Sequence, residues 1–164
     1  MSEDDAVAGP TDDGQLVRVE GFLVRLDLAY EPDGHLWVAP PDGSTGNVRI
    51  GLDPLGVETT GTVAHLVVGS VGTRVRRGEP LGSLEAEKFV GPLVAPLTGV
   101  IRAVNPALAT PRQVVEDPYG TWVAEVLPEA WEEESAQLVR GADRLPAWFA
   151  DEVRRFRLEG VLAQ

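Results

Sequence analysis

The sequence predicts a mostly β fold, a small sandwich or barrel, with short helices mainly at its C-terminal end. Three observations predict it. Between Gln15 and Leu127, short runs rich in Val, Leu and Ile are interrupted by Gly, Pro, Asp and Thr at roughly 8–12-residue spacing, the rhythm of strands and tight turns. Beyond Pro128 that alternation stops and helix-forming residues take over. Strands are not interleaved with long helical segments, which argues against a parallel α/β sheet.

The elements follow in order. Residues 1–14 carry five carboxylates, no base and no periodicity, and read as a disordered acidic tail. The β domain spans residues 15–128, with strands expected at 22–26, 36–39, 47–52, 61–68, 74–75, 80–87, 91–95, 99–104 and 122–127. Asp33-Gly34 and Asp42-Gly43 are turn signals, their glycines able to take positive φ. Residues 106–112 read as a short helix or loop. Residues 129–164 form a helical extension, with helices expected over 130–140 and 145–159. In the second helix Trp148, Val153 and Phe156 recur at rough helical spacing, with Leu158 and Leu162 beyond, as in an amphipathic helix packed on the barrel.

Composition removes several function classes. A formal net charge of −12 repels nucleic-acid phosphates. No apolar run reaches membrane-spanning length, and the acidic start lacks the features of a secretion signal, so a cytoplasmic setting without membrane partners is expected. Without cysteine there are no disulfides or thiolate metal sites. The two histidines, His35 and His65, read as hydrogen-bonded structural residues, and no metal site is expected. The sequence contains no phosphate-binding glycine loop, dinucleotide fingerprint or nucleophile elbow.

One bias is sharper. Of 14 basic residues, all but Lys88 are arginine. Guanidinium stays protonated, so arginine cannot stand in where an amine must be acylated. Lys88 falls on a short connection between two expected strands. It also lies between two similar segments, Gly61-Thr-Val-Ala-His-Leu66 and Gly99-Val-Ile-Arg-Ala-Val104. Two hairpin-bearing halves joined there would present the lysine at an exposed tip.

The residues around Lys88 resemble a known family. Val71 to Lys88 (VGTRVRRGEPLGSLEAEK) is similar to the lipoyl-attachment hairpin of glycine cleavage H proteins, and Ala95 to Asn105 (APLTGVIRAVN) to its return half. Glu116-Asp-Pro-Tyr-Gly-Thr-Trp122, His35-Leu-Trp37 and Val48-Arg-Ile-Gly-Leu52 resemble further family motifs, all in one register over residues 21–128. The resemblance implies a barrel-sandwich hybrid of the lipoyl/biotinyl type. It also implies lipoic acid amide-linked to Lys88 in a carrier with no catalytic residues of its own. In the glycine-cleavage role, the arm accepts an aminomethyl group at glycine decarboxylase (P protein) and yields it to aminomethyltransferase (T protein). Dihydrolipoyl dehydrogenase (L protein) then reoxidises it, and a lipoyl-attaching enzyme installs it.

Glu85 and Glu87 share one strand face and could form a catalytic carboxylate pair. Flanking Lys88, they and Phe89 read instead as recognition groups for the modifying enzyme. Biotinyl domains share the hairpin but flank their lysine with methionines, and the sole methionine here is Met1. The sequence departs from the family pattern in three places. Glu85-Ala-Glu-Lys88 stands for Glu-Ser-Val-Lys, Phe89-Val-Gly-Pro92 replaces small residues, and Gly120-Thr-Trp122 is shortened. Such changes fit a relative serving another pathway, sulfur oxidation for example, or an unlipoylated interaction or regulatory paralogue. Arg74, Arg76 and Arg77 are read as a solvated strand edge, with a docking patch as the alternative.

Overall fold

The computed structural model describes residues 15–163, so the expected tail at 1–14 lies outside the described residues. The strands are β1 (Leu16–Val19), β2 (Phe22–Arg25), β3 (Ala29–Glu31), β4 (Leu36–Val38), β5 (Val48–Leu52), β6 (Val63–Val68), β7 (Arg74–Val75), β8 (Pro80–Ala86), β9 (Val90–Val94), β10 (Gly99–Val104) and β11 (Ala124–Pro128). The helices are α1 (Pro54–Thr60), α2 (Arg112–Glu116), α3 (Trp131–Ser135) and α4 (Leu145–Leu158), with a 3₁₀ turn at Pro106–Ala109. Every strand pair is antiparallel. They build a hairpin β1-β2, a six-stranded sheet β3-β4-β5-β11-β10-β7 and a three-stranded sheet β6-β8-β9.

Side-chain alternation explains how the sheets face each other. On β8, Leu81, Leu84 and Ala86 point inward while Ser83 and Glu85 face solvent. A register shift between Pro80 and Gly82 reconciles Leu81 with that alternation. These residues meet Val48, Ile50, Leu52 and Val126 of the larger sheet in one core. A second core joins the β1-β2 hairpin, Tyr30, Trp37 and Leu55 to Leu145, Phe149 and Val153 of α4. Trp37 reaches that core because Gly51, its partner across β4-β5, leaves room; a side chain there would collide with the indole. The Trp37 Nε1 then donates to the Pro118 carbonyl at 3.0 Å, and Tyr119 Oη meets Tyr30 Oη at 2.9 Å. Three separated motifs of the sequence thus converge on one packing site.

Several expectations shift. β1, β3, α1 and α2 are additional elements, and the strand expected from Gly61 begins only at Val63. The two glycine-led segments end up in different sheets, β6 in the smaller and β10 in the larger. Both Asp-Gly turns form, but the positive φ falls at His35 and Gly46 instead of Gly34 and Gly43. The first C-terminal helix stops at Ser135, because Val139 pairs with Tyr30 as a β-bridge. In α4 the buried stripe is Leu145, Phe149 and Val153, four residues apart, and Leu158 is exposed. Among the described residues, no helix is long and apolar enough to cross a membrane.

Candidate functional site

Lys88 lies at the tip of the β8-β9 hairpin, exposed to solvent. The ladder runs to Glu85 opposite Val90, and the Ala86 amide donates to the Phe89 carbonyl at 2.8 Å. The tip is nonetheless anchored from outside. The Glu87 amide donates to the Thr62 carbonyl and the Lys88 amide to the Thr60 carbonyl, both at 2.8 Å. The anchor exists because α1 ends there. Asp53 caps its first turn, accepting from the Gly56 amide at 2.8 Å, and Pro54 supplies the fixed φ of a first helical residue. Gly61 terminates it at φ +79. A Cβ on Gly61 would approach Glu87 Oε1 to 2.8 Å and Lys88 Cε to 3.1 Å, so the lysine stem crosses the one residue in that link with no side chain.

A cleft of about 450 Å³ opens beside the tip. Thr59 and Thr60 of α1, Phe89 of the tip, Leu36, Leu93 and Phe156 of α4 contribute to its lining, with His35. His35 is held at both ring nitrogens. Nδ1 lies 2.9 Å from Asp53 Oδ2 and Nε2 lies 2.8 Å from Glu152 Oε1. Its ring stacks on Trp148 with centroids 5.6 Å apart. Burial works against a charged imidazole, but the two carboxylates outweigh it and raise the His35 pKa above its ordinary value. Burial likewise opposes ionisation of Glu152, and hydrogen bonds from Arg155 and His35 reverse this, lowering its pKa.

A family model described as glycine cleavage H-protein matches residues 28–145. Glycine cleavage system H protein 3 of Aquifex aeolicus (strain VF5) is 35% identical over 115 residues, covering 69% of this chain and 70% of that protein. H protein 2 of the same organism is 30% identical over 125 residues, covering 75% and 76%. The crystal structure of a glycine cleavage system H protein from Mycobacterium marinum matches with a TM-score of 0.59 at 33% identity, covering 70% of this chain and 98% of that one. The chain belongs to the glycine cleavage H-protein family. Its fold is the barrel-sandwich hybrid of that family, a fold of lipoyl-carrier type. The matched stretch starts later and ends further than the 21–128 carried by the motifs, reaching the first residue of α4.

Within this family frame, the residues singled out around the lysine have distinct positions. Glu85 is exposed on the outer face of β8, opposite His65 on one side and Val90 on the other. Glu87 sits at the tip with Oε1 3.5 Å from the Thr62 amide. Phe89 is 40% exposed, its ring lies over Gly91, and it lines the cleft. The arginine trio is dispersed. Arg74 forms a two-pronged pair with Glu129, Arg77 reaches Glu31 at 3.3 Å, and β7 is an edge strand. His35 is hydrogen-bonded as the sequence suggests, whereas Asp53, Thr60, Gly61, Thr62 and Glu152 went unsuspected. Asp53-Pro54 followed by Gly61 was a usable signal, since it marks both ends of a short helix.

Proposed function

We propose that Lys88 carries lipoic acid through an amide bond and that the chain shuttles an aminomethyl group in glycine cleavage. Its partners in that reading are glycine decarboxylase, aminomethyltransferase, dihydrolipoyl dehydrogenase and a lipoyl-attaching enzyme, in a cytoplasmic setting. The observation that carries the proposal is the placement of the only lysine, exposed on a tip whose own backbone is anchored by two hydrogen bonds from its amides. An anchored base and an exposed stem suit a group that must be delivered in a defined direction.

The residues present fit such a group. The Lys88 stem leaves over Gly61 into solvent, beside a largely apolar cleft. When bound, the lipoyl group supplies a dithiolane that can take up and release a transferred group. Lysine plus lipoyl would reach about 14 Å from the backbone, by ordinary covalent geometry. Acylation removes the lysine charge, leaving Glu85 and Glu87 as the charged groups flanking the site. We assign those two carboxylates and Phe89 to recognition by the attaching enzyme. Intact mass and peptide mapping of protein from a lipoate-replete host test the assignment. A lipoyl-sized increment on the Lys88 peptide is expected, and an unmodified mass, in a host that lipoylates other carriers, overturns it.

A second reading, the same carrier serving another lipoate-dependent pathway, is favoured by Phe89, an aromatic wall at the root of the arm. Reconstitution with glycine decarboxylase separates the two. Glycine-dependent decarboxylation supports the first, and its absence with loaded carrier supports the second.

A further inference from the structure

The His35 cluster lies outside the attachment hairpin, yet His35 lines the cleft and its ring packs on Phe156, another lining residue. His35 takes a left-handed backbone conformation, φ +53, which is uncommon for a side-chain-bearing residue and turns up at sites under functional constraint. One ring nitrogen faces Asp53, the cap of the helix whose far end anchors Lys88. The other faces Glu152 on α4, one turn before Phe156, which lines the cleft. The two contacts span 18 and 117 residues of chain, so a single ring ties the start of α1 to the C-terminal helix.

We propose that α4 is a working wall of the carrier site, held against the cleft by a His35–Glu152 clip that opens when His35 loses its proton. The proposal rests on the carrier reading of Lys88 for its purpose, though not for its mechanics. A protonated imidazole donates from both nitrogens and satisfies both carboxylates. A neutral ring keeps one N–H, so one carboxylate then faces a lone pair at hydrogen-bond distance. Asp53 retains the donor: it is fully buried and already fixed by the Gly56 amide. Glu152 is the partner that leaves. It is partly open to solvent and has Arg155 on its own helix at 2.8 Å as an alternative partner. Asp53 and Glu152 are the charged groups facing the ring, with Arg155 behind Glu152. Release removes one tie from the C-terminal half of α4, where Arg154 and Arg157 still pair with Glu20, while Leu145, Phe149 and Val153 remain buried in the second core. Phe156, packed on the edge of that core and on the His35 ring, is the lining residue that this loosening lets shift. Trp148 stacked on the ring favours the closed, cationic form.

The mechanics are tested on unmodified protein by NMR titration. With His35 and His65 the only histidines, two imidazole signals are expected, and the His35 midpoint should lie above the ordinary histidine value. The amide signals of Glu152 and Phe156 should follow the His35 midpoint, and those of Leu145 and Phe149 should not. Glu152→Gln keeps the shape and removes the charge, and should lower the His35 midpoint by about one pH unit. An unmoved midpoint, or α4 amides indifferent to it, overturns the clip. The purpose is tested on lipoylated protein, its loading first verified by mass. With the dithiol reduced, Glu152→Gln should be alkylated several-fold faster than wild type below the His35 midpoint, and equally fast above it. Equal rates at every pH in a protein whose clip titrates would remove α4 from the carrier site. Failure to load would instead count against the Lys88 reading and leave the clip standing.

Discussion

At the Lys88 tip the side chain is exposed and the backbone beneath it is tied to Thr60 and Thr62; at His35, lining the same cleft, the side chain itself is tied at both nitrogens. The first region fixes direction and leaves the reactive group mobile. The second holds an imidazole between two carboxylates, one of them on the C-terminal helix. Both depend on α1, whose cap Asp53 serves His35 and whose terminator Gly61 serves Lys88. The tip should therefore be insensitive in stability and absolute in function, the clip graded in both.

The most severe loss is expected at the tip. Lys88→Arg should fold with an unfolding free energy within about 0.5 kcal/mol of wild type, since an exposed side chain is exchanged for one of like charge. Loading and carrier activity should vanish, because guanidinium is not acylated by this chemistry. Residual carrier activity in a reconstituted assay would move the attachment site elsewhere. Asp53→Ala attacks the other side. It strips a fully buried partner from His35 and the cap from α1, and breaking such a buried pair costs about 3–5 kcal/mol. Denaturant unfolding reads it directly, and a cost below about 1 kcal/mol would mean the cluster is not coupled to the fold.

Gly61→Ala joins the two regions. Its φ of +79 with ψ −154 is a conformation kept almost entirely to glycine and alone costs about 1–3 kcal/mol, and the new methyl must displace Glu87 Oε1 and Lys88 Cε. Loading of Lys88 should slow as the stem is redirected, while Gly21→Ala, also at positive φ but in open space, should lose stability without touching loading. Equal loading in the two variants would show that the stem needs no seat.

Much of the attachment region was legible because it is local. Leu81, Leu84 and Ala86 against Ser83 and Glu85 announce a half-buried strand, and the interval before Val90 announces its tip. α1 was hidden by its own composition. Leu55-Gly-Val57 is a short apolar run with a glycine in it, and such a run cannot be told from a strand or loop by periodicity. β1 and β3 are short hairpin strands whose stability comes from Tyr30, Trp37 and α4 rather than from their own pattern. The clip was invisible for a stronger reason. His35 and Glu152 are 117 residues apart, and each looks ordinary in its own neighbourhood; only the packing of α4 brings them together.

The dependence of the clip on pH should be weak. Glu152 has a lowered folded pKa, so its contribution is full above its ordinary value near 4.5 and fades as pH falls through the lowered one. His35 has a raised folded pKa, so its contribution is full below its ordinary value near 6.5 and fades as pH rises through the raised one. Both conditions hold between those two ordinary values, and the clip should stabilise the fold most within that window. Glu152 is partly solvated and screened, so the pair should contribute below about 1 kcal/mol. Unfolding free energies measured from pH 4 to 9 should therefore show a shallow maximum in wild type that flattens on its alkaline side in Glu152→Gln. Lys88→Arg should retain the wild-type profile, because its charge lies on the tip and not in the clip. Parallel wild-type and Glu152→Gln profiles would mean that Asp53 alone sets the behaviour of His35, and α4 would then be held by its apolar stripe and by its pairs to Glu20.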